Sequence, residues 1–129
     1  MFDAELVAEI LLQIDQAIEV VRTRFSVVGS VDDFLDSADG LEKLDGICMK
    51  LIAIGESVKN IDKYTDFTLL PKYPEIDWKG VKGVRDIISH HYFDLDAEEI
   101  FEICTTHIPP LHLTIKQMAA DLGSQRIAK

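Results

Sequence analysis

The chain has 129 residues, 47% of them hydrophobic, and carries 13 Lys and Arg against 23 Asp and Glu for a formal net charge of -10. That length suits one domain with its own core, and that apolar content excludes a disordered chain. The acidic balance excludes an indiscriminate polyanion binder, because nucleic-acid affinity rests on basic groups that neutralise phosphates. No run approaches the roughly 18 consecutive apolar residues of a membrane span. The opening Met1-Phe2-Asp3-Ala4-Glu5 lacks a basic n-region and cleavage site, so a cytoplasmic address without a membrane partner is expected. Cys48 and Cys104 fit that address as buried thiols rather than a disulfide or zinc site.

Between Asp3 and Phe25, apolar residues recur as Val7, Leu11, Ile14, Ile18, Val21 and Phe25, at alternating steps of four and three. This spacing predicts a long amphipathic helix. Asp3, Glu5 and Glu9 near its start and Arg22 and Arg24 near its end complement the helix dipole. Gly29 and Ser30 break the pattern, and the acidic stretch to Ser37 reads as a connection with one helical turn around Phe34. A second helix follows to Tyr64, with Leu44, Ile47, Leu51, Ile54, Val58 and Ile61 as its stripe. The two long helices are expected to pack as an antiparallel pair. Gly55 in the second helix costs about 1 kcal/mol against alanine, which a close helix crossing would explain. Glu56 beside it is either an exposed helix carboxylate or a partner for Arg85.

Pro71 and Pro74 make residues 65–77 a crossover loop. A third helix is predicted from about Asp77 to Ser89, with Trp78, Val81, Val84 or Arg85, and Ile88 inward and Gly80 and Gly83 permitting a tight contact with another backbone. Asp94 or Asp96 can cap a further helix whose first turn carries Glu98 and Glu99. Pro109-Pro110 should break or kink it. Helical spacing resumes at Leu111, Ile115, Met118 and Leu122 before Gly123. The expected architecture is an all-α, up-and-down bundle of four to five helices. It forms a single domain over residues 1–122, with a flexible tail over 123–129.

The chemistry concentrates in Arg85-Asp86-Ile87-Ile88-Ser89-His90-His91-Tyr92. The segment from Lys72 to His91 is also the least acidic, with Lys72, Lys79, Lys82 and Arg85 against Glu75, Asp77 and Asp86. On an ideal helix Arg85 and His90 stand about 140° and 7.5 Å apart, so the helix must end near Ser89 or His90 for the imidazole to turn back. An anion site with a phenol at its rim would result. Arg steadies charge on phosphoryl oxygens and His moves protons near neutrality, which suits metal-free phosphodiester cleavage of RNA through its 2′-hydroxyl. In-line cleavage uses both a base and an acid, and a two-fold homodimer would supply two of each residue. The plainer alternatives are Arg85 paired with Asp86 or Glu56, and His90 as a helix C-terminal residue favoured by the dipole. A metal site from His90, His91, Asp94 and Asp96 lacks a standard ligand spacing. His107 and His112 read as structural, and Tyr64 and Tyr73 as loop or packing aromatics.

The string Arg85-x4-His90-x-Tyr92 resembles the signature of HepT-like toxins in the HEPN superfamily. The surroundings match too: Ile54-Gly55-Glu56-Ser57 upstream, Ile76-Asp77-Trp78 opening the motif helix, Tyr92-Phe93 after it and a proline-led helix from Pro109. The resemblance covers roughly Leu6 to Leu122. It implies a helical homodimer whose two Arg-His pairs line one cleft, acting as a metal-independent ribonuclease toxin without a cofactor. It also implies a cognate antitoxin, a minimal nucleotidyltransferase of the MntA type that transfers AMP from ATP to the motif tyrosine. By position, Arg85 and His90 would be catalytic, Tyr92 the modified residue, and Asp86 and Glu56 supporting residues. AMP on Tyr92 would bring bulk and negative charge to the cleft. The alternative function is a non-catalytic binding subunit of a nucleotidyltransferase complex.

Overall fold

Two long helices form the frame, because each carries one uninterrupted apolar stripe and each is stopped by its own capping chemistry. The structure, a computed structural model, describes residues 2–90 and 96–128, without the side chains of residues 90 and 125–128. Helix α1 spans Ala4–Phe25, and the Asp3 carboxylate accepts from the Glu5 and Leu6 amides, both at 3.1 Å. Its buried residues are Val7, Ile10, Leu11, Ile14, Ile18 and Val21. A short helix, α2 (Asp32–Leu35), buries Phe34 against Phe25 and Phe101, which meet edge to face with centroids 5.1 Å apart.

Helix α3 spans Ala38–Tyr64 from a Ser37 cap, and Leu44, Ile47, Leu51, Ile54, Val58 and Ile61 are all buried. These six are the apolar stripe expected from the spacing. The Arg24 guanidinium near the end of α1 donates to the Gly46 carbonyl early in α3, which sets the pair antiparallel. Beyond α3, Asp66 and Phe67 take positive φ angles of 52° and 60°. Phe67 holds its ring 65% exposed, an unusual backbone state for a bulky residue.

A 3₁₀ turn at Leu70–Lys72 leads to α4, Trp78–His90, one residue longer at its end than the spacing predicts. The Trp78 indole donates to the Tyr73 carbonyl at 2.9 Å, and the Tyr73 hydroxyl donates to Asp121 at 2.6 Å. The crossover loop is thus fastened at both edges. Helix α4 lies against α3 with Lys82 donating to the buried Asp62 carboxylate at 2.6 Å. The close approach is at Gly55, where a Cβ would fall 2.8 Å from the Val81 carbonyl oxygen and 3.0 Å from Val84 Cγ1. Gly83 has open space instead, and Gly80 sits over the Asp77 carboxylate that caps its own helix. The tight contact expected from the Gly80 and Gly83 pair is therefore made by the partner helix.

Asp96 caps helix α5, Ala97–Glu102, accepting from the Glu98 and Glu99 amides. The chain then widens into a π turn over Ile103–His107 and continues as α6, Ile108–Ala128. Where Pro109-Pro110 is expected to break or kink the helix, the backbone does not break and stays helical through both prolines. Each proline ring would clash with the carbonyl four residues back in an α-helix, and the wider turn, closed by the Ile108 amide on the Ile103 carbonyl, accommodates both. The backbone also stays helical past Gly123 to Ala128, where the spacing alone places an end. Helix α6 buries Leu111, Ile115, Met118 and Leu122 and packs on α1.

The fold is all-α, with no strand among the described residues, and no described helix is long and apolar enough to cross a membrane. Cys48 and Cys104 are buried thiols, and burial pushes their pKa values up to about 11 and about 12.

Candidate functional site

Gly55 lets α4 settle onto α3, and this sets the residue that follows it beside the polar face of α4. Glu56 Oε1 accepts from Arg85 Nη1 at 2.7 Å. Its other oxygen meets Lys59 Nζ at 3.0 Å, one turn on along α3. One carboxylate therefore holds two cations together at the surface. Hydrogen bonds first from Lys59 and then from Arg85 hold the Glu56 carboxyl below the usual glutamate range. The Arg85 side chain remains 56% exposed. Glu56 is thus both a surface carboxylate and the partner of Arg85, and the plainer pairing weighed for that guanidinium is the contact found.

Asp86 is exposed and meets no partner among the described residues, so the orienting role expected for it has no contact behind it there. His90 closes α4. The catalytic assignment of its imidazole, the modification assigned to Tyr92, and the residues His91 and Asp94 of the weighed metal site lie outside the described residues. Asp96 of that site spends its carboxylate on the α5 cap. Lys59, the second cation on Glu56, is the neighbour that sequence reasoning missed. Its spacing of three from Glu56 on a helix was the available signal.

Beside this region, α3, α4, the π turn and α6 border an open, mostly apolar pocket of about 320 Å³ whose lining includes Ile54, Val84, Ile87 and Ile103, with Glu75, Asp77 and Glu99 among its polar residues. His107 reaches its rim and is exposed.

A second polar cluster joins α1 to α6. Buried His112 contacts Arg22 Nη1 through Nδ1 at 3.0 Å and Asp15 through Nε2 at 2.7 Å, with Glu19 at 3.2 Å from the same nitrogen. A guanidinium can only donate, so Nδ1 accepts and Nε2–H points to the carboxylates. Lys116 Nζ also meets Asp15 at 3.2 Å. Partial burial pushes the Asp15 carboxyl up, but hydrogen bonds from Lys116 and His112 outweigh it and leave the group below the usual aspartate range. Asp15, Glu19 and His112 are near enough to share a cation, yet the Lys116 ammonium and the imidazole N–H already occupy the Asp15 oxygen. The expectation that His112 is structural holds, and this cluster is a helix clamp.

Comparison with known proteins places this arrangement in context. The model of the Ribonuclease HepT-like family matches residues 8–118. A candidate RNase of Methanocaldococcus jannaschii is 36% identical over 79 residues, which cover 61% of this chain and 62% of that relative. The match thus spans less than two thirds of that relative's length. Another candidate RNase of the same organism is 27% identical over 107 residues, covering 76% of this chain and 89% of the relative. A candidate ribonuclease HepT of Thermococcus cleftensis is 38% identical over 58 residues, covering 45% of this chain and 49% of its own. No solved structure gives a significant match. With most of its length matched and the Arg85 helix docked on α3, the chain belongs to the HepT-like ribonuclease family.

Proposed function

We propose that the protein is the ribonuclease toxin of a toxin-antitoxin pair, cleaving RNA with Arg85 and His90 from both subunits of a homodimer. The observation that carries this reading is the Arg85 guanidinium, anchored by Glu56 yet more than half exposed in the second half of α4, in a chain of this family. An anchored and solvent-exposed guanidinium is preorganised for a phosphoryl oxygen, and preorganised charge costs no reorganisation as the transition state forms. The incoming phosphate replaces part of the interaction that the carboxylate makes with Arg85.

In the reaction, one His90 takes the 2′-hydroxyl proton as the 2′-oxygen bonds to phosphorus. The P–O5′ bond breaks in line, and His90 of the partner subunit gives a proton to the leaving 5′-oxygen. The products are a 2′,3′-cyclic phosphate and a 5′-hydroxyl, with Arg85 bearing the extra charge on the phosphoryl oxygens meanwhile. No metal ion is needed for this sequence of proton transfers. An MntA-type nucleotidyltransferase would silence the site by moving AMP from ATP to the Tyr92 oxygen, with loss of the phenolic proton and release of pyrophosphate, which adds negative charge where phosphate must enter.

Single-stranded RNA incubated with the pure chain in EDTA should be cleaved, and Arg85→Gln or His90→Ala should abolish cleavage. RNA left intact by the unmodified dimer refutes the enzyme and favours a non-catalytic subunit. Sedimentation should report a dimer. With the nucleotidyltransferase and ATP, intact mass should rise by AMP in the parent and stay fixed in Tyr92→Phe.

A further inference from the structure

Glu56, Lys59 and Lys63 lie three and four residues apart on α3, so they share one helix face with about 5–6 Å between successive Cβ atoms. Lys59 and Lys63 are both exposed. Lys59 is tied through Glu56 to Arg85. Lys63 holds its ammonium 5.7 Å from the centre of the Tyr64 ring, which is 44% exposed. Next to this face, Lys82 neutralises Asp62, removing the buried carboxylate from the local balance. Four cations, Lys59, Lys63, Lys82 and Arg85, stand here against Glu56, Asp62 and the exposed Asp86 beside Arg85, in a chain whose net charge is -10. Asp66, exposed in the turn beyond, is the next acid along the chain.

On the reading that Arg85 serves RNA cleavage, we propose that Lys59, Lys63 and Tyr64 form the binding track for the single strand flanking the cleaved bond. Arg85 takes the scissile phosphate and Lys59 and Lys63 take successive phosphates along α3. A base beyond them stacks on Tyr64. Cations that follow a backbone and end on an aromatic face are the means by which proteins hold single strands without reading sequence. Glu56 has a positioning role in this track, keeping Lys59 and Arg85 in register rather than letting two cations repel each other apart. Antiparallel packing of α3 and α4, seen in the Glu56–Arg85 and Asp62–Lys82 pairs, fixes the direction. The strand runs from Arg85 toward the C-terminal end of α3.

The test uses the full chain and a single-stranded oligoribonucleotide whose 2′-hydroxyls are methylated, so that it binds without being cut. Fluorescence anisotropy across a salt series gives the slope of log K against log salt. Lys59→Gln and Lys63→Gln should each reduce that slope by about 0.7, the expectation for one phosphate contact to a single strand, and Lys59→Arg should restore it. Tyr64→Leu should weaken binding at every salt concentration without changing the slope. Lys43→Gln, in the first turns of α3 beside Asp39, is the control and should match the parent in binding and in cleavage. If Arg85→Gln abolishes cleavage while both lysine variants keep the parental slope, the track is overturned and the ribonuclease reading stands. If Arg85→Gln still cleaves unmodified RNA, the reading itself fails and the track with it.

Discussion

Replacing Gly55 by alanine tests whether the α3–α4 approach positions Arg85. Two effects oppose each other. Alanine gains about 1 kcal/mol over glycine in a helix interior. The new Cβ would stand 2.8 Å from the Val81 carbonyl oxygen and 3.0 Å from Val84 Cγ1, and the first of these is backbone that cannot rotate away. Overpacking of this kind costs about 1–3 kcal/mol, so the variant should lose about 1 kcal/mol net. The same change at Gly83, where nothing lies within 4 Å, should gain about 1 kcal/mol from propensity alone. For a chain of this size the two variants should melt about 8 °C apart, on opposite sides of the parent. Thermal unfolding by circular dichroism reads this directly. Gly55→Ala should also lower RNA cleavage, because moving α4 outward lengthens the Arg85–Glu56 contact. A Gly55→Ala protein that melts at or above the parent refutes the close approach and the positioning built on it.

Phe67 holds φ at 60° with most of its ring in solvent, so Phe67→Asn should stabilise the fold by about 0.5–1 kcal/mol; an unchanged or lower melting temperature contradicts this. His112→Ala strips Arg22 and Asp15 of a shared partner at a site only 5% exposed and should cost about 2–3 kcal/mol in urea titrations. The Asp15, Glu56 and Asp121 carboxyls are all held below their ordinary range. Below about pH 4 the unfolded chain therefore takes up protons that the folded one resists. Stability should be full above that pH and fall as acid titrates the folded groups, with Asp15→Asn flattening the decline; a parent that stays level to pH 3 would exclude these pairs as contributors.

The long helices were readable because burial imposes a period on them. The stripes of α1, α3 and α6 come from core packing, and packing selects side chains by spacing. Gly55 was readable as an anomaly because a glycine in a helix interior is costly. Gly80 and Gly83 misled for the same reason: composition shows that a backbone is bare, but not whether a neighbour faces it. Glu56 was half legible, since its two readings differ only in how α3 and α4 are rotated. That rotation depends on the Val81 and Val84 contacts, which span 26 or more residues of chain. Lys59 was missed because its importance comes through Glu56 rather than from any motif of its own. The proline pair at Pro109-Pro110 was read as a break or a kink because local rules treat the α-helix as the only helix available. One π turn resolved the clash without ending the element.

Cys48 and Cys104 are sealed in the interior with thiols that resist ionisation, and only thiolates react with maleimides at useful rates. A cysteine introduced at an outward position such as Leu113, 72% exposed, would then label selectively in the native chain. Spin labels or dye pairs can be attached without first removing the native sulfurs. A distance between labels on two copies of the chain would thereby test the proposed homodimer on an otherwise unaltered protein.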